Sequence, residues 1–245
     1  MIKKCLNCNS EVENSFCPFC GQKSSSKRFS MKHFVIHDFI HGVFHLDKGF
    51  LFTLKELVTR PGHSVREYIK GKRVDHFNYF TGFLLLLAVG HFIGSYSQIT
   101  GDQLFENGKM SGFHKVAKDF AKFILLATVP FYAFASYNVF KKAKLNYIEH
   151  LVINMYLMNG ILIIGLLFTS LTVFYGNIKF LSVLNLFNPL LEFIYFCWFF
   201  YQFFSKFQYK KSTLFILIIL NAFLLIIIKG LVNFTVDEIG MAYFK

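Results

Sequence analysis

The sequence predicts an all-α integral membrane protein: about five transmembrane helices, preceded by amphipathic interfacial helices and a small amino-terminal cysteine module. Three observations carry this. Of 245 residues, 54% are hydrophobic and 19% aromatic, with a mean hydropathy of +0.45, more apolar than a soluble domain of this size. The apolar residues fall in runs near the roughly 20 residues that a bilayer-spanning helix needs. Four of the five cysteines lie in the first 20 residues, at Cys5, Cys8, Cys17 and Cys20.

Taken in chain order, residues 1–22 form the cysteine module. "CLNCNSEVENSFCPFCGQK" holds two Cys-x2-Cys turns, each able to present two thiolates to one ion, so the pair completes a tetrahedral S4 set. Soft thiolates favour Zn(II), with iron the main competitor. The module is therefore read as a zinc ribbon at Cys5, Cys8, Cys17 and Cys20. It is too small to bury a core, so the metal supplies its folding energy. Such a closed site is structural and leaves no open position for catalysis. The first 20 residues lack the basic flank and apolar core of a signal peptide, so the amino terminus is expected in the cytoplasm. Thiols stay reduced there, which suits metal binding over disulfides.

Residues 23–79 make a basic linker and juxtamembrane helices. "KSSSKR" (23–28) is flexible and basic. Residues 30–58 carry an apolar face from Phe34, Ile36, Phe39, Ile40, Val43, Phe44 and Leu46, continued by Phe50, Leu51, Leu54, Leu57 and Val58. Pro61-Gly62 breaks the run, and a short helix near 64–71 presents Arg66, Tyr68 and Lys70. Basic residues beside interfacial aromatics suit a helix lying on an anionic leaflet, so the expected partner is a bilayer with anionic headgroups. The net charge of +12 is assigned to that surface, and no nucleic-acid partner is expected.

Within this region "HFVIHDFIHGVFHLD" spaces His33, His37, His41 and His45 four apart. Four residues advance a helix about 400°, so adjacent pairs converge while His33 and His45 diverge by roughly 120°. His37 and His41 are the best second metal pair. "HDFIH" resembles a metalloprotease helix with Asp38 in place of the longer glutamate, and a third ligand would come from His63, His76 or His150. The simpler reading places the imidazoles at the boundary between the apolar face and water.

The span expectations are 80–99, 120–140, 150–174, 182–204 and 213–235, making a bundle over 80–235 with a short tail at 236–245. No internal repeat is visible. Thirteen Lys and Arg precede residue 80. Lys141, Lys142 and Lys144, and then Lys206, Lys210 and Lys211, alternate with the poorly basic connection around Lys179. This alternation places the amino terminus on the cytoplasmic side and the carboxyl terminus outside, and the expected location is the cytoplasmic (inner) membrane. His91, Glu192 and Lys229 are the intramembrane polar candidates, with Glu192 and Lys229 at similar depth, and Asn154, Asn159 and Asn221 are expected to bond between helices.

"CPFCGQK", "HDFIHGVFHLDKGFLFTLKELVTRPG" and "REYIKGKRVDHFNYF", in that order, resemble uncharacterised bacterial inner-membrane proteins with an amino-terminal zinc ribbon, over roughly residues 5–90. The resemblance implies the same ribbon ligands at Cys5, Cys8, Cys17 and Cys20, and it implies no activity. The expected function is a non-enzymatic, membrane-tethered interaction or regulatory module with a protein partner at the ribbon. The alternative is a small-solute or ion transporter, or a membrane metalloenzyme, built on the intramembrane polar groups and the histidine stripe.

Overall fold

The structure is a computed structural model that describes residues 3–24, 28–29, 49–99 and 112–243. The histidine stripe, including His37 and His41, lies outside the described residues.

The amino-terminal module pairs strand β1 (Lys3–Lys4) antiparallel with β2 (Glu11–Val12), Lys4 facing Glu11 across the pair. A second bridge joins Phe16 to Lys23. The two halves repeat with a twelve-residue shift, which inspection of the sequence missed. Cys5 N donates to Ser10 O and Asn9 N to Cys5 O; twelve residues on, Cys17 N donates to Gln22 O and Gly21 N to Cys17 O. Asn9 and Gly21, each just after a Cys-x2-Cys turn, take positive φ angles of 62° and 74°. Only Gly, or a short polar residue such as Asn, takes that conformation cheaply.

Two short helices follow, α1 (Gly49–Thr59) and α2 (Pro61–Ile69), broken at Pro61 as its ring dictates at a helix start. They form a collar whose second helix is buried in the bundle. Pro61, Gly62, Ser64, Val65, Arg66, Tyr68 and Ile69 of α2 are all buried. Gly62 is pressed so closely to the backbone of Phe199 and Phe203 that a Cβ would collide with both. Tyr195 OH donates to Leu57 O, and Tyr68 packs edge-on against Tyr156. The collar is thus wedged about nine residues, or roughly 14 Å, along the neighbouring long helices.

The wedge explains helix α3 (Tyr79–Ser95), which has 17 residues and rises only about 26 Å. Asn78 caps its start by accepting from Phe80 N and Thr81 N, and Asn159 donates to Tyr79 O. Its far end meets Thr172 through Ser97 and Gln98. Collar and α3 together match the length of one long helix.

Four longer helices complete the bundle: α4 (Gly112–Val139), α5 (Tyr147–Phe174), α6 (Ile178–Phe204) and α7 (Lys211–Tyr243). A helix therefore stands at each of the five expected places. Three of them, Tyr147–Phe174, Ile178–Phe204 and Lys211–Ala242, are long and apolar enough to cross a membrane. The apolar part of α4 is Phe123–Val139, and α7 runs on through Asp237 and Glu238 beyond the boundary expected at 235. The core concentrates at the collar end, where Phe140, Phe199, Phe200, Phe203 and Phe204 are fully buried and Phe140 stacks on Phe204. Asn154 bonds across to Ser136 on α4 and Asn159 to α3, as expected; both side-chain polar atoms of the buried Asn221 are unpartnered.

Candidate functional site

The two half-repeats bring four thiols from opposite ends of a 16-residue stretch to one point. Cys5 Sγ lies 3.6 Å from Cys20 Sγ and Cys8 Sγ lies 3.5 Å from Cys17 Sγ, all four within 4.8 Å of one another. A tetrahedron with Zn–S bonds of 2.3 Å has edges of about 3.8 Å, so the four residues fit a single tetrahedral ion. Cys5 and Cys17 are buried, Cys20 is partly so and Cys8 faces outward. Asn7 N donates to Cys5 Sγ at 3.4 Å, the kind of backbone support that orients a thiolate ligand. Hydrogen bonds from the Ser10 hydroxyl and amide hold the Cys8 thiol down to about 6, while burial pushes the Cys20 thiol up to about 12. A cation bound by all four thiolates would displace the remaining protons. Among the described residues this is the one cluster of His, Cys, Asp or Glu that could hold a metal ion.

The module is fixed to the bundle rather than strung from it. Leu6, inside the first Cys-x2-Cys turn, sits directly over Gly71, where a Cβ would approach Leu6 Cδ1 to 2.7 Å; Gly71 also has a φ of 110°. The buried Gln22 accepts from Arg73 N at 3.2 Å. Just beyond the module, Arg28 makes a bidentate pair with Glu149, at 2.6 and 2.7 Å, and donates to Lys144 O. Glu149 is only 2% exposed and also takes the Asn146 amide in a capping box, so its carboxylate is fully satisfied. Phe29 is buried under the Arg73 guanidinium, 3.9 Å from its ring centre. The second turn, Cys17-Pro18-Phe19-Cys20, faces away, with Phe19 81% exposed.

The candidate third ligands are otherwise engaged. His63 Nδ1 is 2.7 Å from Arg66 Nη2, His76 Nε2 is 2.8 Å from Ser64 Oγ, and His150 Nδ1 is 2.9 Å from Ser136 Oγ in the core. Burial lowers the His63 and His76 imidazoles below their usual range. Arg66 and Tyr68, expected to face headgroups, turn inward instead. Arg66 donates to the carbonyls of Gln202 and Phe203 and so closes the end of α6, whose last carbonyls have no partner within the helix. Gly62 N donates to Gln202 Oε1 at the same place. Sequence inspection missed these contacts, since none has a spacing signal.

Among the intramembrane candidates, Glu192 and Lys229 do come together. They line one cavity of about 410 Å³ bounded by α4, α5, α6 and α7. Its other walls are mostly apolar, among them Leu125, Met158, Ile161, Leu162, Phe193 and Phe196, with Tyr132 adding a phenol. Glu192 accepts from Asn188 at 3.4 Å, and the two charged groups are not in ion-pair contact. His91 is exposed on α3 and takes no part in the cavity, so nothing joins it to Glu192.

No curated protein and no solved structure matches the chain. Residues 47–89, less than a fifth of the chain, match a family described as Protein of unknown function (DUF3667). In this chain that stretch contains α1, α2 and the first turns of α3.

Proposed function

We propose that the chain is a multi-pass protein of the cytoplasmic (inner) membrane, with five spanning helices and a cytoplasmic amino terminus. In this reading it is a non-enzymatic platform whose zinc ribbon presents a recognition surface at a fixed position. The observation that carries this is the asymmetry of the two Cys-x2-Cys turns. The first packs Leu6, half of it still exposed, over Gly71, while the second exposes Phe19 at 81% and, beside it, Phe16 at 58%. A flexible tether would need no such contact, and a solvated knob would not spend two phenylalanines on water. The four-thiolate site supports a structural rather than a catalytic metal. The partner is a protein with an apolar pocket for Phe19, and anionic headgroups meet the basic rim. A surface cavity of about 430 Å³ lined by Arg28, Lys141, Lys144 and Asn146 supports the second contact.

Metal analysis of the purified protein tests the ribbon. About one zinc per chain is expected, lost in Cys17→Ser/Cys20→Ser and retained in His37→Ala/His41→Ala. Zinc lost with the histidines, or iron in its place, overturns the assignment. A photoreactive residue at position 19 should form one dominant protein adduct in native membranes, and Phe19→Ala should keep the zinc while weakening partner binding. Absence of any protein adduct from position 19 removes the platform reading.

A further inference from the structure

The cavity between α4, α5, α6 and α7 points to a second function that the ribbon does not explain. Its position comes first. Glu192 and Pro189 lie near the middle of α6, Met158 to Gly165 near the middle of α5, and Ala222 to Lys229 near the middle of α7. Its mouth is apolar: Phe193, Pro189 and Ile226 are exposed side chains lining it, Ile226 to 62%. With helices of this length in a bilayer, such a mouth opens sideways into hydrocarbon rather than into water.

The second observation is Gly165. It sits inside α5, where glycine costs roughly 0.5–1 kcal/mol relative to alanine. Gly62 and Gly160 serve close packing, against α6 and the Tyr195 ring, whereas Gly230 on α7 is as open as Gly165 but lies outside the cavity lining. Gly165 has nothing within 4 Å of where its Cβ would lie, yet it lines the cavity. Its absent side chain leaves room and serves no contact within the chain.

The third observation is chemical. Lys229, exposed at the mouth, is a donor and Glu192, half-buried, a carboxyl group; both line the chamber with the buried Tyr132 and do not touch. Their formal charges are opposite. A ligand with net charge would leave an uncompensated charge at mid-depth, and a zwitterion would surrender two hydration shells to enter. A small neutral head with hydroxyl or carbonyl oxygens accepts from Lys229, engages Glu192, and loses the least water. The volume suits such a head with part of one chain, the rest of which lies in the bilayer.

We propose that this chamber binds an uncharged, single-tailed, membrane-dissolved amphiphile of the monoacylglycerol class, head between Glu192 and Lys229 and tail along Phe193 and Ile226.

The test uses the full-length protein in phosphatidylcholine nanodiscs with a diazirine-bearing monoacylglycerol. Crosslinks should map to the peptides around 187–196 and 222–231, saturate, and be competed by unlabelled monoolein more than by oleate or oleylamine. Gly165→Leu fills the chamber with no backbone to meet, so it should cut labelling at least tenfold while melting temperature and zinc content are kept. Lys229→Met should weaken labelling less than Gly165→Leu does. Labelling spread over all lipid-facing helices and unchanged in Gly165→Leu would mean annular lipid only and overturn the site. Stronger competition by oleate or oleylamine would overturn the ligand class. Either failure leaves the zinc-ribbon platform untouched.

Discussion

At the residue scale, two side chains decide whether the collar seats. Gly62 gives α2 its approach to the Phe199 and Phe203 backbone, and the obstacle there is main chain that cannot rotate away. Gly62→Ala is therefore expected to destabilise by about 1–3 kcal/mol, the cost of overpacking, despite alanine's better helix propensity. Denaturation midpoints in detergent micelles measure this, and a stabilised variant would contradict the packing. Arg66 acts on the same contact through charge. Its two hydrogen bonds to the end of α6 are charge-assisted and 7% exposed, so Arg66→Met should cost roughly 2–3 kcal/mol and fray α6 from Gln202 onward. Amide exchange at residues 200–205 reads the fraying. The sequence marked Gly62 only as a breaker and Arg66 only as a charge. Which backbone lies within reach of either depends on helices more than 130 residues away.

At the element scale, the collar is an acid-sensitive unit. Burial holds the His76 and His63 imidazoles below the ordinary value of 6.5. In the unfolded collar these groups take a proton near 6.5, while in the folded collar they resist it, so the unfolded state binds more protons below that pH. Stability is then unaffected above about 6.5 and declines as the pH falls beneath it. Exchange protection of residues 61–79 should drop between pH 7.5 and pH 5.5. His76→Gln keeps a partner for Ser64 without the titration and should flatten most of that change. Equal protection of the wild-type chain at both values would sink the argument. The wedge also bears on α3. The sequence predicts a span over 80–99, and the helix there is Tyr79–Ser95, whose 17 residues start beside Asn159 of α5 with the collar packed before them.

At the scale of the whole molecule, the ribbon and the bundle are joined by a few contacts with separate energetics. A metal held by the four cysteines would contribute the module's folding energy, whereas apolar packing maintains the bundle. Chelation should therefore abolish protection in residues 3–24 and loosen residues 71–73, where Leu6 and Gln22 dock, with no loss of helical signal. Loss of helix together with the metal would show that the bundle depends on the ribbon. The Arg28–Glu149 pair should persist, because Glu149 is buried and would otherwise keep an unpaired carboxylate.

What the sequence determined alone is what local pattern encodes: apolar runs long enough for helices, the Pro61 break, and two Cys-x2-Cys turns whose spacing leaves one tetrahedral S4 arrangement. The four cysteines were legible because metal ligands close in sequence carry their geometry with them. The tertiary structure decided everything that depends on distant chain meeting chain. It turned a surface collar into a wedge and sent Arg66 inward. It set Glu192 and Lys229 in one chamber while leaving His91 outside, and it docked one ribbon turn and freed the other. A 3.6-residue period says which face of a helix is apolar, but only the neighbouring helix settles whether that face meets lipid, protein or a cavity.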